Sequence, residues 1–177
     1  EALKNDYAAL KMEEETGIKK KMGWTLMNIG VVNNHMANYD EALKNYSAAI
    51  KAHREQSDSN GMASAMVNIA AIYRVRGNYP AALKNYYDAL KIYEKTGNRN
   101  YLANVYTGIA TVEWSINNYP EALKNNLKAL QLAKEIGAKN LTGTILLNMG
   151  GIYNKMGNDS AAIRCFGEAE GIYSSAG

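Results

Sequence analysis

A pentapeptide written five times at one interval constrains this chain more than any bulk property. Glu1 opens EALKN, Glu41 repeats it, Ala81 opens AALKN, Glu121 opens EALKN and Ala161 opens the degraded copy AAIRC, each start 40 residues after the last. A period in the range of roughly 20–50 residues builds a stacked array, because one such unit cannot bury its apolar stripe alone. The match extends beyond the pentapeptide. Ala42, Ala82, Ala122 and Ala162 align, as do Ala49, Ala89, Ala129 and Ala169. So do Asn38, Asn78, Asn118 and Asn158, and the apolar Leu43, Leu83, Leu123 and Ile163.

Each period reads as two helices. In EALKNYSAAIKAHREQ the residues Ala42, Leu43, Tyr46, Ala49, Ile50 and His53 recur at spacings of three and four, one stripe of an amphipathic helix. MASAMVNIAAIYRVRG repeats the pattern with Met62, Met66, Ile69, Ala70 and Tyr73. Gly77 and Gly157 stand where the first helix needs a left-handed cap. Pro80 and Pro120 open the second helix, and Gly17, Gly97 and Gly137 close it. The spacing predicts nine helices, near 1–16, 20–36, 40–56, 60–76, 80–96, 100–116, 120–136, 140–156 and 160–175. Turns of three or four residues force neighbours antiparallel. Gly30, Ala70, Ala110 and Gly150 mark close helix crossings, with Leu26, Met66, Tyr106 and Leu146 as large knobs.

Composition narrows the function. The charge balance, 20 basic against 17 acidic residues, gives no clustered basic face, so nucleic acid is not an expected partner. No apolar run approaches the roughly 18 residues that cross a bilayer, so no membrane contact is expected either. Thirteen Tyr against one Phe favour rings with a polar tip, and two Pro suit long helices. Cys165 has no disulfide or ligand-spaced companion, and His35 and His53 lie far apart without acidic or Cys neighbours at ligand spacing, so both read as structural. No phosphate-loop, dinucleotide or zinc-protease motif occurs. No cofactor, metal or catalysis is expected. The chain opens on Glu within a repeat and reads as a fragment; a cytoplasmic location is favoured, with an extracytoplasmic sensor region as the alternative.

These residues resemble the tetratricopeptide repeat, a helix–turn–helix unit. One copy carries Met66, Ile69-Ala70, Tyr73, Gly77-Asn78-Tyr79, Ala82, Tyr86 and Ala89; the last carries Leu146, Met149-Gly150, Tyr153, Gly157, Ala162, Phe166 and Ala169. The family's usual period is roughly 34 residues rather than 40. Asn33 and Glu113 replace its Tyr, Asn117 replaces its Gly, and its usual Pro after the second helix is missing. Forty-residue arrays of this kind are similar to those of bacterial signalling proteins and of cell-polarity adaptors of the Pins and LGN type. The resemblance implies an all-α solenoid of antiparallel hairpins in a right-handed superhelix, about four and a half units over residues 1–177. The half repeat is 1–16, and the full repeats are 20–56, 60–96, 100–136 and 140–175.

The resemblance also implies an interaction scaffold that takes a protein or peptide on the concave face lined by the first helices. Carried over, the groove columns are Trp24, Ser64, Asn104 and Thr144; Asn28, Asn68, Gly108 and Asn148; Val31, Ala71, Thr111 and Gly151; and Asn34, Arg74, Trp114 and Asn154, with His35, Val75, Ser115 and Lys155 beyond. The candidate binding residues are Trp24, Asn28, Asn34, Asn68, Arg74, Asn104, Trp114, Asn148 and Asn154. An Asn amide pairs with both backbone groups of an extended strand, Arg74 offers a bidentate contact, and the two Trp are anchors. Asn45, Asn85 and Asn125 read as outer-face residues. Two alternatives stand beside the scaffold: a ligand- or peptide-sensing domain governing an attached output domain, and self-association through the N-terminal edge bearing Leu3, Tyr7 and Leu10. Glu170, in the column of Ile50, Leu90 and Leu130, suggests a polar-faced last repeat.

Overall fold

In the computed structural model, which describes residues 2–16 and 21–174, the expected helices form. They are α1 (Ala2–Thr16), α2 (Met22–His35), α3 (Tyr39–Glu55), α4 (Ser59–Val75), α5 (Tyr79–Thr96), α6 (Arg99–Ser115), α7 (Tyr119–Glu135), α8 (Lys139–Lys155) and α9 (Asp159–Ser174). Among the described residues there is no strand. The helices α2, α4, α6 and α8 are the first of each hairpin; α3, α5, α7 and α9 are the second, and α1 shares their register.

The chain divides into two compact units, residues 1–92 and 93–177, with the boundary inside α5. In the first unit α2 packs on α3, α3 on α4 and α1 on α2, and α2 also touches α4. The core of this unit gathers Leu26, Met27, Tyr46, Ala49, Ile69 and Ile72, with Leu10 of α1 packed against it. Thr25 ties α1 down further by donating to Glu13 Oε1 at 3.2 Å. In the second unit α6 packs on α7, α7 on α8 and α8 on α9, and α6 touches α8.

The turns follow from cap chemistry. At the end of α4, Gly77 takes φ +74°. Its N–H donates to Arg74 O, and Asn78 N–H to Tyr73 O, at 3.0 and 2.8 Å. These two bonds satisfy carbonyls the helix leaves open. Ala37, Ser57 and Asn117 hold the same left-handed conformation without being glycine. The recurring Asn column begins the second helices: Asn78 Oδ1 accepts from Ala81 N–H and Asn158 Oδ1 from Ala161 N–H. Gly17 lies outside the described residues, as do the side chain of Leu3 and residues 17–20.

The small columns are sockets for aromatic rings. A Cβ on Gly30 would lie 2.5 Å from the Tyr46 ring, and one on Gly150 would lie 2.5 Å from Phe166. A second socket lies nearer the other end of each first helix: Gly23 faces His53 and Gly143 faces Tyr173, at 2.7 and 2.6 Å from a built Cβ. His53 is fully buried and also covers Gly61, so its structural role holds.

Two expectations need correction. Asn45 and Asn125 are buried rather than on an outer face, and Asn85 is half-buried. Each donates its amide to the carbonyl four residues back, Glu41, Ala81 or Glu121, at 2.7–2.9 Å. That local bond lets a polar side chain sit against the neighbouring helix without an unmet donor. The last helix is not uniformly polar: Glu170 is exposed, but Ile163, two turns before it, is 70% exposed.

Candidate functional site

In each unit the first helices present a stripe that is not buried. On α6 the residues that are not buried include Asn100, Asn104, Thr107, Thr111, Trp114 and Ser115; on α8 they include Asn140, Thr144, Leu147, Asn148, Asn154 and Lys155. Spacings of three and four put each set on one stripe. The first unit repeats this with Trp24, Asn28, Val31 and Asn34 on α2 and Ser64, Asn68, Ala71 and Arg74 on α4. All nine candidate residues therefore lie on uncovered stripes, and none is buried.

Hydrogen bonding sorts the asparagines. Asn33, Asn45, Asn85 and Asn125 spend their amides on their own helices. By contrast, the side-chain amides of Asn28, Asn34, Asn68, Asn148 and Asn154 make no intramolecular hydrogen bond among the described residues. Their donors and acceptors are open to an incoming group. Asn104 is intermediate: its Nδ2 donates to Asn100 O at 3.1 Å, leaving Oδ1 as an acceptor. Nearby hydroxyls turn inward as well. Thr107, Thr111, Ser115 and Thr144 each donate to the carbonyl four residues back.

The two tryptophans are held differently. Trp24 is 45% exposed and meets the His53 ring edge-on at 5.0 Å. Nδ1 of His53 lies 3.0 Å from Asp58 Oδ2. Neither His53 nitrogen makes a hydrogen bond among the described residues. Asp58 uses Oδ1 to cap α4 at Gly61 N–H. Trp114 is half-buried because its six-membered ring lies on Gly151 of α8, where even a methyl group would come within 3.4 Å. Arg74 points at the Tyr86 hydroxyl rather than at an acid, opposing the upward push that burial gives the Tyr86 phenol. Burial likewise raises the Cys165 thiol, the direction of an unreactive sulfur.

Sequence reasoning missed the column of Thr107 and Leu147. Leu147 is 44% exposed one turn before Gly151, and so stands beside the Trp114 shelf. The 40-residue register and the helical period could have found it. Also missed was an open depression of about 650 Å³ lined by Asn100, Asn104, Lys139 and Asn140. Among the described residues no three metal-ligating side chains converge, and no helix is long and apolar enough to cross a membrane.

Solved structures with the same fold include BtubC from P. vanneervenii, at 17% identity and TM-score 0.81 over 89% of this chain. RapI in its apo form matches at 15% and 0.86 over 98%. A Rap protein complexed with Competence and Sporulation Factor matches at 15% and 0.76 over 98%. The chain spans 65% of the length of BtubC and 48% and 53% of the two Rap chains. No curated protein matches it by sequence. A tetratricopeptide repeat profile matches residues 21–95, 61–135 and 101–175. Repeats of this kind support protein-interaction scaffolds and are typically non-catalytic. With overlapping matches reaching from residue 21 to residue 175, the chain belongs to the tetratricopeptide repeat family.

Proposed function

We propose that the uncovered stripes of the first helices hold an extended segment of a partner protein. The observation that carries this reading is the division among the asparagines. Asn33, Asn45 and Asn125, packed between helices, spend their amide donors on their own helices, while the exposed or half-buried Asn28, Asn34, Asn68, Asn148 and Asn154 keep their side-chain amides unspent; Asn126, buried with an unpartnered Oδ1, is the exception. Main-chain pairing to such amides fixes an extended strand, and Trp24 and Trp114 supply apolar anchors. On this reading residues 1–177 act as a single array in a larger bacterial signalling protein, with 1–16 as the half repeat and 20–56, 60–96, 100–136 and 140–175 as full repeats.

A second reading is a sensing domain whose ligand controls an attached output domain. It is favoured by the likeness to a Rap protein whose structure was solved with Competence and Sporulation Factor bound. The first reading is tested by screening the purified protein against an array of overlapping peptides and titrating the binders. Asn148→Ala, Asn154→Ala and Asn68→Ala are each expected to weaken binding about fivefold with helicity unchanged. Unaltered affinity in all three would remove the amides from the site.

A further inference from the structure

Two columns of the repeat lose their large side chains at one place. Where α7 has Ala133, the other three hairpins carry a ring: His53, Tyr93 and Tyr173. Where α8 has Thr142, the other copies carry Met22, Met62 and Leu102. Ala133 and Thr142 both line a hollow of about 260 Å³, bounded also by Gly137 of the α7–α8 turn and by Ile172 of α9. All of these residues lie within the second unit. Thr142 spends its hydroxyl on its own helix, donating to Ala138 O at 2.9 Å. The floor is therefore apolar, and none of its residues belongs to the uncovered stripes.

Two cations stand at the rim. Lys134 follows Ala133 on α7 and Lys139 opens α8; both border the hollow, and both are exposed. Neither ammonium has a hydrogen bond or an ion pair among the described residues. The nearest acid in sequence, Glu135, is already held by Arg99 at 2.9 Å and by Gln131 at 3.0 Å. Glu168, one turn before Ile172 on α9, does not border the hollow. Each lysine can lay its apolar stem along the wall and keep its charge in water. Lys139 also borders the larger depression on the α6 side, so Lys134 is the cation that tells the two apart.

We infer that this hollow binds a small monocarboxylate with a single-ring apolar body, the ring over Ala133 and Thr142 and the carboxylate between Lys134 and Lys139. A cavity of about 150 Å³ holds a benzene ring, so this one takes a ring and a short acidic arm. Drug-sized ligands need roughly 300 Å³ or more. A ring suits the place because the repeat itself puts one in the Ala133 column in every other hairpin. An inorganic phosphate would gain nothing from the apolar floor, and an amine would be repelled at the rim. The site is independent of the reading of the stripes as a peptide surface.

The test titrates phenylacetate, phenylacetamide and phenethylamine, which share a ring and differ in head group, into the purified protein. Binding is read from shifts of backbone amide NMR signals. Phenylacetate is expected to bind about fivefold more tightly than the amide, and the amine least, with the gap closing at high salt. In Lys134→Gln the acid is expected to lose most of that advantage while the amide binds as before. In Thr142→Met, which restores the residue of two other copies, both are expected to be lost with helicity unchanged. Lys134→Gln is a surface change that leaves the fold intact, so it decides alone if Thr142→Met lowers helicity. Equal binding of acid and amide overturns the carboxylate assignment. Unaltered binding of the acid in Lys134→Gln overturns the site. Binding of none of the three at about 10 mM overturns the inference altogether.

Discussion

The hairpins α2–α3 and α8–α9 use the same two sockets and end with different burial. In the first, Tyr46 sits against Gly30 and His53 against Gly23, and both rings are sealed, Tyr46 at 1% exposure. In the second, Phe166 sits against Gly150 and Tyr173 against Gly143, yet each ring stays 40% exposed. The contact within the hairpin is the same; what differs is α4, which packs on α3 and brings Gly61 against His53. The hairpin thus supplies one wall and the following helix the other, the nearest-neighbour logic of a stacked array.

The largest expected effect comes from removing the rings. Tyr46→Ala should cost about 3–5 kcal/mol, since it leaves a cavity walled on both sides. Phe166→Ala should cost about 1–2 kcal/mol, because a half-exposed ring has less apolar area to lose and no sealed void forms. Urea unfolding followed by Trp fluorescence separates the units, as Trp24 reports the first and Trp114 the second. Equal costs would break the account of the second wall.

A smaller effect should come from filling the sockets. Gly30→Ala places a methyl 2.5 Å from a ring with nowhere to go, and overpacking of this kind costs about 1–3 kcal/mol. The gain of about 1 kcal/mol in helix propensity does not offset it. At Gly150 the same propensity gain applies, but Phe166 can swing toward solvent. Gly150→Ala should therefore be neutral or slightly stabilising, within about 0.5 kcal/mol. Opposite signs for the two substitutions would sharpen the comparison.

These sockets show what the sequence could and could not reveal. The crossings at Gly30, Ala70, Ala110 and Gly150 were legible because a 40-residue column of small residues has one mechanical meaning in a stacked array. The helix ends were legible from Gly and Pro. The pairing of Gly23 with His53 was harder to see, because its 40-residue columns change chemistry between copies: Gly23 continues as Ala63, Ala103 and Gly143, and His53 as Tyr93, Ala133 and Tyr173. The asparagines were misjudged for a related reason. Asn45 folds its amide back onto Glu41, whereas Asn148 leaves its amide open, and only coordinates tell a spent amide from an unspent one. The contact of Trp114 with Gly151, on the next first helix, was invisible in the sequence, where neither residue repeats at its 40-residue column.

The smallest effect at neutral pH, and the most discriminating at high pH, concerns the hydroxyl that Tyr46 has and Phe166 lacks. Burial pushes the Tyr46 phenol up to about 12, from an ordinary value near 10. Between those values the unfolded chain gives up this proton and the folded chain keeps it. The folded state then binds more protons, so stability falls as pH rises from about 10 to 12 and is untouched by this group below 10. Tyr86, also raised by burial, adds to the same fall. Tyr46→Phe keeps the ring in its Gly30 socket and should change stability at pH 7 by less than about 1 kcal/mol. Above pH 10 it should flatten the stability profile without abolishing the fall, since Tyr86 remains. A profile identical to that of the parent protein between pH 10 and 12 would mean that the phenol reaches water in the folded state, and that the second wall over this socket is not closed.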